Sequence, residues 1–258
     1  MALKEGTTDP DTLTGTDGTD QIYGFEANDW LYGGGGTGDE LFGGEGIDNL
    51  FVDADTKDAA LFGGDGNDHL YGDRLGKWLG GATLSGDAGD DDLTATGRIS
   101  LNGYGGSGAD TLTGGKVDDT LRGGAGNDLL YAGSGGGDRL FGGDGDDTLA
   151  AGRGHDRLDG GDGADTFMFF DLSGGHAHPR IADFQSGIDR MDFAFSFGSG
   201  NFTFIGTDDF SVGPADGHGE LRWDAAADEL QGDMNGDGVQ DFAIVIAGDA
   251  PVTGDFVL

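Results

Sequence analysis

Residues 123–168 read GGAGNDLLY (123–131), AGSGGGDRLF (132–141), GGDGDDTLA (142–150), AGRGHDRLD (151–159) and GGDGADTFM (160–168). Four of these units are nine residues long and one is ten. Each has a glycine-rich turn, then an aspartate, then a large apolar residue two positions on. The unit is G-G-x-G-x-D-x-U-x, with U apolar. Self-similarity at so short a period marks a stack of identical small units rather than an ordinary globular core.

The glycines let the backbone take positive φ and turn without a Cβ clash. The x-U-x step is too short for a helix and fits a strand of about three residues with its middle side chain inward. Two units then make one coil: turn, strand, turn, strand. The turns point carbonyl oxygens inward and the aspartate adds a carboxylate. These are the hard oxygen ligands that calcium takes, about six to eight per ion. An ion fits between turns one coil apart.

The apolar position runs through Ile22, Leu31, Leu41, Leu50, Leu61, Leu70, Leu84, Leu93, Leu101, Leu112, Leu121, Leu130, Leu140, Leu149, Leu158 and Phe167. Alternate units fall on opposite edges of such a roll. One edge is expected to carry Asp29, Asp48, Asp68, Asp91, Asp110, Asp128, Asp147 and Asp165 as metal ligands. The other carries Asp20, Asp39, Asp119, Asp138 and Asp156, with irregular turns. Asp58 is out of step by one residue, and the turns before Leu84 and Leu101 lack the aspartate. The turn glycines expected at the metal are Gly44, Gly46, Gly64, Gly66, Gly106, Gly108, Gly124, Gly126, Gly143, Gly145, Gly161 and Gly163. One complete row and one broken row predict roughly ten ions.

The fold class is therefore all-β: a parallel roll over 15–169, preceded by a lead-in over 1–14 and followed by a β-rich cap over 170–258. The cap is read from its aromatics, among them Phe184, Phe193, Phe195, Phe197, Phe202, Phe204, Phe210 and Trp223, which alternate with polar residues as in antiparallel strands. A stack of repeats needs such an end piece. The insertion GDRLGKWLGGAT at 72–83 holds Arg74, Lys77 and Trp78. It reads as a bulged loop, or as a contact for a glycan or protein partner.

With 49 acidic and 13 basic residues the net charge is −36, which argues against nucleic acid. Cysteine is absent, so disulfides are excluded. The N-terminal MALKEGTTDPDT has no apolar region of the kind a signal peptide needs, and no run approaches the length of a membrane span. Fifty-seven glycines and dense carboxylates make ordering costly, so the metal-free repeats are expected to be disordered and folding to follow calcium.

Residues 15–258 resemble the C-terminal half of serralysin-type secreted proteases, a calcium-binding RTX (hemolysin-type) roll with a β cap. GGDGADTFMF at 160–169, IADFQSGIDRMDF at 181–193, FTFIG at 202–206, GELRWD at 219–224 and DMNGDGVQDFAIVIAG at 233–248 follow in that family's order. The last residues, Asp255-Phe256-Val257-Leu258, resemble its uncleaved C-terminal signal, read by type I secretion machinery. The resemblance implies a secreted, extracellular protein. It does not carry proteolysis: the histidines are His69, His155, His176, His178 and His218, and none begins H-E-x-x-H. The expectation is a non-catalytic calcium-binding roll. The alternatives are an accessory module of a larger secreted enzyme (protease, lipase or polysaccharide epimerase) and an adhesin.

Two smaller features complete the reading. Asp233, Asn235, Asp237 and Asp241 have nearly EF-hand spacing, but Ile244 stands where the bidentate Glu belongs, so a second calcium site and a polar hairpin turn both fit. His176 and His178 read as a surface loop before Pro179, His69 and His155 as solvent-facing repeat positions, and the scattered Arg and Lys as solvated.

Overall fold

Apolar residues nine or ten positions apart stack when each pair of units closes one coil, and two parallel sheets result. The computed structural model describes residues 1–52, 58–72, 80–95, 97–170, 172, 178–193, 202–211 and 219–257. Among these, one sheet has 14 strands and the other 11, and consecutive strands alternate between them through the roll. In the first sheet Ile22 lies beside Leu41, Leu61 and Leu84 in turn, and Leu121 beside Leu140, Leu158 and Ile181. In the second, Leu31, Leu50, Leu70, Leu93, Leu112, Leu130, Leu149 and Phe167 form one unbroken column. Both columns are buried. A one-residue slip would turn every one of these side chains outward, so the apolar column fixes the register.

One apolar position is corrected. Gly103, not Leu101, sits between Leu84 and Leu121 in the first column. Leu101 lies two residues earlier, in the slot that Asp119 fills in the next coil, and its N–H donates to the Asp119 carboxylate at 2.7 Å. A Cβ on Gly103 would lie 3.2–3.6 Å from the side chains of Leu121, Leu112 and Leu101. These leucines occupy the space the glycine leaves.

The roll is longer at both ends than 15–169. Ala2–Glu5 and Thr12–Thr14 already pair in parallel with the next strands of the two sheets, so the lead-in is itself a coil. Past Phe169, Arg180–Phe184 and Arg190–Asp192 extend the sheets in parallel by one more coil. The cap is not simply antiparallel either. Phe242–Gly248 joins Arg180–Phe184 in parallel; Glu229–Asp233 and Gly219–Asp224 then follow antiparallel, and Phe202–Phe204 closes in parallel. The buried rings of Phe169, Phe193, Phe202 and Phe242 fill the cap, with Phe193 5.3 Å from Phe169 and 6.3 Å from Phe242. These rings cover the apolar end of the last coil. No helix among the described residues is long and apolar enough to cross a membrane.

Candidate metal centres

Each turn ends on a residue whose side chain points between coils. On the regular edge this residue is always aspartate, and its amide donates to the carboxylate one coil on. Asp29 donates to Asp48, Asp48 to Asp68 and Asp68 to Asp91, each at 2.7 Å. The ladder continues through Asp110, Asp128, Asp147 and Asp165 at 2.8–3.0 Å. It extends beyond the expected row, from Asp11 at one end to Asp189 at the other. Both fit the D-x-U spacing, as Asp11-Thr12-Leu13 and Asp189-Arg190-Met191, and that signal could have found them.

The other edge is broken. Asp20 donates to Asp39, and Asp119 to Asp138 and then Asp156, but Ala59, Ala82 and Leu101 fill the slots between. Asp58 is exposed, as its one-residue offset requires, with a left-handed φ of 57°.

The ladder uses only one oxygen of each carboxylate. Oδ2 of Asp29, Asp48, Asp68, Asp91, Asp110, Asp128 and Asp147 on the regular edge, and of Asp39, Asp138 and Asp156 on the other, is buried with no hydrogen-bond partner. An unpaired buried charge of this kind is costly unless a cation meets it. A Cβ on Gly43, Gly105 or Gly142 would collide with Oδ2 of Asp48, Asp110 or Asp147 and also with the carbonyl of the matching glycine in the next coil. The orphan oxygens of Asp48, Asp110 and Asp147, like that of Asp29 beside Gly24, thus share a side-chain-free space with a carbonyl of the next turn, and this donor set suits calcium. The twelve glycines from Gly44 to Gly163 that were expected at the metal all have φ of 102–146°, which keeps these turns open.

Asp20 and Asp119 do not share this arrangement. Their Oδ2 atoms accept from the amides of Thr16 at 2.5 Å and Gly115 at 2.6 Å. The protein closes those turns itself. The amides of Thr7 and Gln185 do the same for Asp11 and Asp189.

Burial raises the carboxylate pKa values, and neighbouring carboxylates on the ladder add to the effect. Asp39, Asp48, Asp91 and Asp165 are pushed up to about 6, Asp68, Asp110 and Asp147 to about 7, and Asp138 to about 8. At Asp20 burial also acts upward, but the Thr16 amide and hydroxyl and the Ala2 amide outweigh it and hold the group below its ordinary value.

Asp233, Asn235, Asp237 and Asp241 come together in one turn between antiparallel strands. The buried Asp233 has both oxygens taken: Oδ1 by the amides of Asn235 and Gly236, Oδ2 by that of Gly238. Asp241 accepts from the Met234 amide at 2.7 Å. These bonds account for the polar residues as a hairpin closure. His69 is half-buried rather than solvent-facing, with an unpartnered Nδ1, while the exposed His155 stacks on His178 at 5.6 Å. Arg74, Lys77 and Trp78 of the insertion, and His176, lie outside the described residues.

Residues 34–258 match the family model described as peptidase M10 serralysin C terminal, and residues 5–38 match that of the RTX calcium-binding nonapeptide repeat (4 copies). Among solved structures, the solution structure of the AlgE6R3 subunit from the Azotobacter vinelandii mannuronan C5-epimerase is 28% identical, over 57% of this chain and 76% of that one, with a TM-score of 0.28. No curated protein matches.

Proposed function

We propose, from the premise that the chain belongs to the peptidase M10 serralysin C-terminal family, that it is a secreted, non-catalytic calcium-binding roll that folds on calcium after type I export. One observation carries the calcium reading: ten buried carboxylate oxygens have no donor, and those of Asp29, Asp39, Asp48, Asp68, Asp91, Asp110, Asp128 and Asp147 lie against a turn glycine. Calcium, when bound, supplies the positive charge these oxygens lack. Asp29, Asp48, Asp68, Asp91, Asp110, Asp128 and Asp147 would hold it on the regular edge, and Asp39, Asp138 and Asp156 on the other. This gives about ten ions. Because the sites exist only in the coil, calcium at extracellular levels drives folding by mass action.

The end of the chain supports export before folding. Asp255 is buried, with its carboxylate holding Ser186 and Gly187 at 2.8 and 2.9 Å, and Phe256 pairs beside Met191. A receptor reading this tail would meet it free only in the unfolded chain.

A calcium titration followed by circular dichroism and small-angle scattering tests the reading. The expected result is a disordered chain in chelator that compacts into β-structure as calcium is added. A full β spectrum in chelator at neutral pH would overturn it.

A second reading has its own support, since the matching family is defined on the C-terminal part of a peptidase. In it the roll is the export and folding module of a larger secreted enzyme. A catalytic domain encoded upstream of Met1 in the same reading frame would decide for it.

A further inference from the structure

Arginines far apart in sequence form one strip on the outer face of the first sheet. Arg139, Arg157 and Arg180 are register partners on three consecutive parallel strands. Thr120 and Asn102 continue the same row on the two strands before them. In the neighbouring row the guanidinium of Arg122 lies between the rings of Tyr104 and Phe141, at 5.2 and 5.1 Å from their centroids. All four arginines are exposed. A shallow groove of about 580 Å³ runs over this face, lined by Tyr104, Arg122, Arg139, Phe141 and Arg157 among others.

The arrangement is unusual for this molecule. Of only 13 basic residues in a chain of net charge −36, four gather here. Like charges opposite one another on neighbouring strands are unfavourable. Among the described residues only Arg157 of this row has a carboxylate partner, Asp159 at 2.8 Å, and Arg139 and Arg180 have none. A single charge-assisted contact thus serves three adjacent guanidinium groups, and the strip is left with unmatched positive charge.

We propose that this strip binds a linear anionic polysaccharide bearing carboxylates, laid across the strands. The side chains beside the strip select among polyanions. The planar guanidinium fork takes a carboxylate with two parallel bonds, the Tyr104 and Phe141 edges give apolar contact, and Thr120 and Asn102 offer hydroxyl and amide groups to sugar hydroxyls. This inference rests on the coil and its register, not on the metal content.

The test is titration of the full chain, folded in calcium, with trigalacturonate, followed by calorimetry and by chemical shifts of the arginine side-chain N–H groups. Trigalacturonate is too short to gel with calcium. Saturable binding is expected that weakens with salt, shifts Arg139, Arg157 and Arg180, and is not given by maltotriose. The pair Arg139→Gln and Arg157→Gln should weaken it by about tenfold or more while the circular dichroism spectrum in calcium stays unchanged. If that double variant fails to fold, the shifts in the native chain decide alone. No binding, unperturbed arginines, equal binding by a folded double variant, or equal or tighter binding of tri-glutamate or a short single-stranded DNA would overturn the proposal.

Discussion

The backbone N–H of Asp48 donates to Oδ1 of Asp68 at 2.7 Å across one coil, while Oδ2 of the same carboxylate is buried without any donor. One oxygen joins the coils and the other is left for a cation. The two roles can be separated by substitution.

Asp68→Asn keeps the acceptor and removes the charge. Asp68→Ala removes both and strands the Asp48 amide, at a cost of about 1–3 kcal/mol. Both variants should bind one calcium fewer by calorimetry, and in saturating calcium the alanine variant should melt at the lower temperature. Equal melting of the two would show that the inter-coil bond contributes nothing.

On the irregular edge, Asp20→Asn should leave the calcium count unchanged, because both oxygens of Asp20 are already held by Thr16 and Ala2. Asp39→Asn should lower it by one, because Oδ2 of Asp39 has no partner. Loss of an ion from the Asp20 variant would contradict this assignment.

Proton linkage gives a further expectation. In the coil Asp39, Asp48, Asp68, Asp91, Asp110, Asp138, Asp147 and Asp165 titrate at about 6 to about 8, above the value of about 3.9 in an unfolded chain. Groups raised on folding stabilise the coil fully below the unfolded value, and that stability is lost as pH rises through the folded values. In chelator, acidification from about pH 8 to about pH 4 should therefore increase β-structure by circular dichroism. A coil that loses structure over that interval would show that the buried carboxylates are not what opposes folding.

Backbone strain offers an independent handle. Ala27 has φ of 75° at the position where the next coil has Gly46 with φ of 143°. Ala27→Gly should stabilise the calcium-bound roll by about 1 kcal/mol by relieving that strain. Gly46→Ala should cost more, since its Cβ would overlap the Ala27 carbonyl. Matched thermal melts in calcium check both signs.

The leucine columns and the aspartate row were legible because each depends on a spacing inside one unit, D-x-U. Leu101 imitates a column residue because a leucine stands in an aspartate slot two residues from a glycine in a leucine slot, and residue type cannot tell which is which until the register is fixed. The extra coil at 180–192 was hidden by the chain between Phe169 and Arg180, which breaks the period. The hidden closure of Asp20 and Asp119 depends on where the amides of Thr16 and Gly115 point, and residue type does not specify that. In the sequence the strip's arginines look scattered and solvated. Its members are 18 and 23 positions apart, so they meet only when two coils of unequal length are laid in register.

The aspartate ladder runs one way, with every amide reaching toward the carboxyl-terminal side. Trimming the two ends of the stack is therefore not equivalent. Cutting away the segment with Asp11 takes from Asp29 only a donor, which solvent can replace. Cutting away Asp189 takes an acceptor from the Asp165 amide, which solvent can likewise replace, but it also strips off the cap with its buried rings, so the two ends lose different cover.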